Sequence, residues 1–153
     1  MQENSYIQVL IQSLHQKVEA LDSIIEKNQE QYEILSAEEA DMDAFEKNID
    51  EKSQYIDKIV FLDDGFEEIY TRVKEELDGN RAAYTEEIQK MKDLISMITE
   101  RSMKIQVQEQ RNKELAGMQF SKARKKIRQV KAGNKAATQY YKNMPPQFLD
   151  KKK

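Results

Sequence analysis

The chain is 153 residues long and contains 4 glycines, 2 prolines, no cysteine and no tryptophan, while 35% of its residues are charged. This composition excludes a disulfide framework, thiolate chemistry and a broad aromatic core, and it favours long helices around a narrow core. No apolar run approaches the roughly 18 residues of a membrane-spanning helix, and the N-terminus lacks the features of a signal peptide. We therefore expect a cytoplasmic protein with one helical domain.

The net charge of −3 conceals an uneven distribution along the chain. Residues 122–153 hold eleven Lys and Arg residues and one acid, Asp150, which gives this segment a net charge of +10. The remaining 121 residues therefore carry −13. Such a pattern is typical of an acidic body that bears a basic tail.

The spacing of core-type residues predicts a first helix from about Asn4 or Ser5 to Leu35. Either Asn4 or Ser5 would cap its start by accepting hydrogen bonds from the first backbone amides. Residues of this helix recur at steps of four and three, as one buried face of a coiled coil requires: Ile7, Ile11, Leu14, Val18, Leu21, Ile25, Asn28, Tyr32 and Leu35.

A second helix is predicted from about Ala37 to Leu77, with Ser36 and Glu39 forming a capping box at its start. Its seam spans about five heptads, so we expect it to be the central helix on which the others pack. Gly65 is a weak point in this helix, but the pattern continues through it. The seam positions are Met42, Phe45, Ile49, Lys52, Ile56, Ile59, Asp63, Phe66, Tyr70, Val73 and Leu77.

The stretch Asp78-Gly79-Asn80 reads as the second turn. Gly79 suits a left-handed helix C-terminus, and Asn80 suits the N-cap of a third helix. That helix extends to Met144, where Pro145-Pro146 must end it, and its heptad phase slips at Gly117.

These elements predict an all-α fold, with three long helices in an antiparallel coiled-coil bundle, because short connections make neighbouring helices antiparallel. Folding the chain at its two turns places Lys52 level with Glu109, and Asn28 level with Asn112. Buried polar groups need partners, so we expect these pairs to form polar layers that set the register. The first helix then ends level with about residue 119, which predicts a bundle over residues 1–119 and an overhanging basic amphipathic segment over 120–153.

Nothing in the sequence indicates an enzyme. His15 is the only histidine, there is no cysteine, and no Glu-x-x-His motif of a carboxylate-bridged metal site is present. The sequence also lacks a glycine-rich phosphate loop and a local nucleophile signature. We expect no catalytic residue, no metal site and no cofactor.

The basic segment admits several interpretations. It could bind nucleic acid through phosphates, lie on an anionic membrane without stable insertion, fold against a protein partner, or have no specific role. Its apolar residues favour a membrane or protein surface, and the acidic body argues against nucleic acid because it repels polyanions. A structural or adaptor coiled coil that binds through its acidic bundle is a further alternative.

Four stretches resemble the FlgN-type flagellar export chaperones, in particular their Gram-positive members. They are the second-helix run from Ile59 to Leu77, the third-helix pattern from Ile88 to Asn112, the segment from Lys131 to Ala137 that leads into Tyr140-Tyr141, and the ending from Gln147 to Lys153. Pro145-Pro146 departs from the family pattern.

The resemblance implies a chaperone that binds the C-terminal helical segments of hook–filament junction proteins, which are hook-associated proteins, and delivers them to the export apparatus. It would act as a monomer or homodimer. An aromatic residue near the C-terminal helix, Tyr140 or Tyr141 by position, would dock on the export gate. The residues implied to contact the client, meaning the protein that the chaperone carries, are Met118, Phe120, Ala123, Ile127 and Val130.

Overall fold

The computed structural model describes residues 3–142, with the side chains of residues 3, 4 and 141 outside that description. It contains α1 (Glu3–Leu35), α2 (Met42–Gly79), a 3-10 turn (Arg81–Tyr84) and α3 (Thr85–Lys142). The predicted all-α class with three long helices is confirmed. The chain divides into two compact units, Met1–Leu115 and Ala116–Lys153, and the predicted domain boundary after residue 119 stays a prediction.

Side-chain contacts give the directions of the helices in the first unit. Between α1 and α2, Lys17 pairs with Asp63 and Lys27 pairs with Glu51, so numbers rise along one helix as they fall along the other. These two helices are therefore antiparallel. Between α1 and α3, Arg101 contacts Asp22, and further along both helices Asn112 contacts Asn28, so α1 and α3 run in the same direction.

The hydrophobic core lies at one end of this unit, around the first half of α1. Isoleucine, leucine and valine side chains of α1 pack there against Val73 and Leu77 from α2 and against Met91 and Leu94 from α3. Burying a side chain of this size contributes about 1.5–3 kcal/mol relative to its exposed state. The prediction that α2 is the central helix is wrong, because α1 supplies most of the buried side chains.

The predicted seam of α2 is displaced by one residue in alternate layers. Phe45, Lys52, Ile59, Phe66 and Val73 are buried or half-buried as expected. The intervening inward positions are one residue earlier than predicted: Asn48, Tyr55, Leu62 and Ile69 face inward, while Ile49, Ile56, Asp63 and Tyr70 are exposed. The buried stripe thus follows the heptad period but includes a polar residue, Asn48, in preference to its apolar neighbour.

The helix boundaries differ from several sequence predictions. The capping box of Ser36 and Glu39 is wrong, because α2 begins at Met42 and its N-cap is Asp41, whose carboxylate accepts hydrogen bonds from the amides of residues 43 and 44 at 3.1 Å. Since α1 extends to Leu35, the chain needs residues 36–41 to reverse direction. Asn4 and Ser5 lie inside α1 and do not precede it.

The second turn also forms without the predicted caps. Gly79 is the last residue of α2 and has no positive φ, so the predicted left-handed cap is wrong. Asn80 stands at the N-cap of the 3-10 turn, but its side chain makes no capping hydrogen bond. One turn of 3-10 helix, Arg81–Tyr84, then leads directly into α3, and the amide of Ala83 donates to the backbone oxygen of Asn80 at 3.1 Å.

Both α2 and α3 continue through their internal glycines. Gly65 lies within α2, as predicted, and α3 is one helix from Thr85 to Lys142 through Gly117 and Gly133. The predicted helix end at Met144 and the Pro145-Pro146 break lie outside the described residues. Over the part of the chain that the structure describes, no helix is long and apolar enough to cross a membrane.

Candidate interaction surface

A cluster of buried polar side chains fills the end of the first unit that lies away from the hydrophobic core. At its centre, the Lys52 ammonium donates to Glu109 Oε1 at 2.6 Å and to Asn28 Oδ1 at 3.0 Å. The side chain of Asn112 donates to the backbone oxygen of Asn28 at 2.9 Å. These are the two pairs that the register derived from the sequence places level with each other.

Three further amide side chains, which sequence reasoning missed, complete this polar cluster. Gln31 donates to Asn48 Oδ1 at 3.0 Å, and Asn48 in turn donates to the backbone oxygen of Lys27 at 2.9 Å. Gln108 donates to the backbone oxygen of Ile25 at 3.2 Å. Satisfied networks of this kind specify one arrangement of a core, because any other register leaves buried polar groups unpaired.

Contacts at the rim of the bundle hold the same register. The guanidinium of Arg111 lies over the ring of Tyr32, 3.8 Å from its centroid, which is a cation–π contact between α1 and α3. Asp63, a polar residue in the predicted seam, pairs with Lys17 at 2.8 Å. The sequence predicts the pair of Lys17 and Asp63 only after α1 and α2 have been aligned with each other.

The ion pair of Lys27 and Glu51 shifts the pKa values of both residues. Its N–O distance is 2.6 Å, and the hydrogen bond from Lys27 is the main reason why the pKa of Glu51 is lowered. The same hydrogen bond raises the pKa of Lys27, while desolvation opposes that rise. A lowered carboxyl pKa contributes stability above the unfolded-state pKa that is lost as the pH falls through the folded-state value.

We predict that Lys27→Gln raises the pKa of Glu51 toward its ordinary value, as measured by carbon-detected NMR titration of the glutamate side chains. Lys47→Gln is the matched control, because Lys47 acts on Glu51 through a weaker, purely coulombic interaction. The free energy of unfolding at acid pH should change little, since both side chains retain solvent contact and exposed ion pairs are screened. An unchanged Glu51 titration in Lys27→Gln would contradict the geometry of this pair.

In the second unit, every described side chain from residue 120 to residue 142 is exposed. Met118, Phe120, Ile127 and Val130 each expose between 43% and 57% of their surface. Ala123 is exposed as well. All five of the implied client-contact residues are therefore exposed on α3, four of them within residues 120–142 and Met118 just before it.

Helix geometry divides these five residues between two faces. At about 100° per residue, Phe120, Ala123, Ile127 and Val130 lie within an arc of about 80°, whereas Met118 lies on the opposite side. The four residues form one narrow stripe along α3, and Met118 does not extend it. A stripe of this width is typical of a helix that contacts one partner element.

The stripe is surrounded by positive charge. Between residues 120 and 142 there are eight Lys and Arg residues and no acid. Tyr140 is also exposed, on the side away from the stripe. Tyr141 belongs to α3, but its side chain lies outside the described residues.

The fold and this surface define an all-α coiled-coil protein whose last helix carries an exposed, basic and amphipathic stretch. Residues 1–143 match the family model described as FlgN protein. The chain belongs to the FlgN family, which is a family of flagellar export chaperones. No curated protein and no solved structure matches the chain.

Proposed function

We propose that this protein is a cytoplasmic type III export chaperone that binds the C-terminal helical segments of hook-associated proteins. Binding would prevent these clients from assembling early and would deliver them to the export gate. The observation that carries the proposal is the exposed stripe of Phe120, Ala123, Ile127 and Val130 on α3. Contiguous apolar surface on a soluble protein commonly marks an interaction site, and an amphipathic helix of a client has the complementary shape.

Two further roles belong to the same proposal. Met118, on the opposite side of α3, would contact a client segment that wraps around the helix. Tyr140 and Tyr141 would dock on the export gate, at a distance along the helix from the client stripe. With about 1.5 Å of rise per residue, Tyr140 lies about 15 Å beyond Val130, so client and gate could bind together.

We predict that Phe120→Asp weakens client binding about tenfold or more, because it puts a charge into an apolar contact. Ile127→Asp should act in the same direction, since it lies on the same stripe. The measurement is isothermal titration calorimetry against the C-terminal segment of a hook-associated protein from the same organism. Met103→Asp is the matched control, because Met103 is an apolar residue on the bundle part of α3 that is even more exposed than Phe120 and Ile127.

The melting temperature separates binding from folding in this experiment. Both stripe variants should melt within a few degrees of the natural chain, because their side chains are exposed and surface substitutions usually change stability by less than about 0.5 kcal/mol. A large drop in melting temperature would identify Phe120 as a core residue. Unchanged client affinity in both variants would refute the stripe as the binding surface.

A further inference from the structure

A second exposed apolar feature lies in the first unit, in a groove between α1 and α2. Phe61 stands at its rim with 76% of its surface exposed, although phenylalanine is among the side chains most often buried. Val9 lies on the opposite wall and is exposed as well. Leu62, Phe66 and Ile69 line the α2 side around Gly65, and α1 adds Leu10 together with the polar residues Gln12, Ser13 and Gln16.

Gly65 gives this groove an open floor. A Cβ atom added at this position would have no neighbour within 4 Å, so packing inside the chain does not require a glycine here. Glycine weakens a helix interior relative to alanine. The space beside Gly65 is therefore open to a side chain of a partner.

The charge around the groove selects the kind of helix that fits it. Asp57, Asp64 and Glu68 are exposed on the same face of α2 as Phe61, four, three and seven residues from it. Lys58, three residues before Phe61, is the base on this face, so acids outnumber bases there by three to one. Over its whole length α2 has twelve acids and five bases. The groove therefore suits an amphipathic helix that is apolar along one stripe and basic beside it.

The chain itself contains such a helix. The stretch from residue 120 to residue 142 has eight bases and no acid, and Ile127 and Val130 stand on its apolar stripe. We propose that two copies of the chain associate reciprocally, with this stretch of each copy seated in the groove around Phe61 and Gly65 of the other. Such a contact has two-fold symmetry and closes on itself, so it ends at a dimer.

The dimer would use the same stripe as the proposed client contact, but its test uses no client, so either proposal can fail without the other. Sedimentation equilibrium of the full chain should show a dimer at low salt whose dissociation constant rises about tenfold or more at high salt, because the attraction joins an acidic face to a basic helix. Phe61→Ser, which removes an apolar anchor, and Gly65→Leu, which fills the groove, should each weaken it about tenfold. Met103→Ser is the matched control and should leave it unchanged.

Single-cysteine variants identify the surfaces that meet, because the natural chain contains no cysteine. Under mild oxidation, a size-tagged Phe61→Cys chain should form mixed disulfides with an untagged Ile127→Cys or Val130→Cys chain, and should not form them with Met103→Cys. A chain that is monomeric at low salt would overturn the proposal. So would a dimer that is unaffected by both groove variants, or cross-links that join Phe61→Cys only to itself.

Discussion

A chain that ends at Gly117 should keep its folded helical bundle and lose its client. The hydrophobic core draws its buried residues from positions 7 to 94, and the polar cluster around Lys52 reaches to Asn112, so the cut removes none of these. Beyond the cut, Gln119 is the buried residue that is lost among those that the structure describes. The compact unit Met1–Leu115 is retained whole. The stripe of Phe120, Ala123, Ile127 and Val130 is removed completely. We expect client affinity to fall at least about a hundredfold, because each buried apolar anchor contributes about 1.5–3 kcal/mol.

The measurement pairs calorimetry with thermal unfolding followed by circular dichroism. The matched control is a chain that ends at Lys142, which keeps the stripe and its basic surroundings and should bind the client with nearly natural affinity. The shorter chain should retain a cooperative transition within a few degrees of the natural one. A shorter chain that still binds the client would transfer the function to the acidic bundle and would refute the stripe assignment.

The same pair of chains separates the other interpretations of the basic segment. If the basic segment bound nucleic acid or an anionic membrane, the full chain would bind DNA or acidic vesicles with an affinity that falls steeply as salt is added. A client contact through the apolar stripe depends less on salt, because burial of apolar surface supplies most of its free energy. Titration of both chains against DNA, acidic vesicles and the client segment at two salt concentrations therefore assigns the segment to one kind of partner.

The architecture was predictable because it follows from two simple features of the sequence. The heptad spacing sets the length and the inward face of each helix, and the short connections set the antiparallel order. Together they fix which residues stand level, without any knowledge of side-chain packing. The approach of Lys52 to Glu109 follows from that register alone.

The details that sequence reasoning missed depend on hydrogen bonds between helices. Hydrophobicity favoured Ile49 over Asn48 as the inward residue of α2, yet Asn48 is fully buried and Ile49 is exposed. Asn48 can be buried because Gln31 and the backbone of Lys27 satisfy its amide. A buried amide with its partners present costs little, and those partners lie 17 and 21 residues away along the chain.

The start of α2 was missed for a geometrical reason. The sequence contains two acceptable signals for the start of this helix. One is the capping box of Ser36 and Glu39, and the other is Asp41 directly before the helix. The choice depends on where α1 ends, because two antiparallel helices need several residues between them to reverse the chain. Once α1 extends to Leu35, only Asp41 leaves enough residues for the turn.

The exposure of the stripe on α3 was predictable from the sequence, and its role as a binding surface stays a prediction. The register places residues beyond about 119 past the end of α1, and the spacing of Phe120, Ile127 and Val130 predicts one face. The groove around Phe61 was not predicted, because Phe61 lies outside every heptad seam and Gly65 reads only as a weak point. Its apolar lining exists only when α1 and α2 are placed side by side.

Lys52→Met should lower the free energy of unfolding of the bundle by about 2 kcal/mol. This is the largest effect that we expect from removing one charge in this unit. The substitution keeps the apolar stem of the side chain and removes the ammonium that binds Glu109 and Asn28. Breaking a fully buried ion pair costs about 3–5 kcal/mol, but Glu109 keeps 45% of its side chain exposed and regains water. Asn28 is fully buried and has no such replacement for its lost partner.

Urea unfolding of three variants tests this account of the polar cluster. Lys17→Met removes the ammonium of the more exposed pair with Asp63 and should cost less than about 1 kcal/mol. The double variant Lys52→Met with Glu109→Leu should recover only a small part of the loss, because the side-chain oxygen of Asn28 stays buried and without its donor in both variants. If Lys52→Met lowered the free energy of unfolding no more than Lys17→Met does, the polar cluster would contribute nothing beyond a surface ion pair. Its role in setting the register would then be refuted.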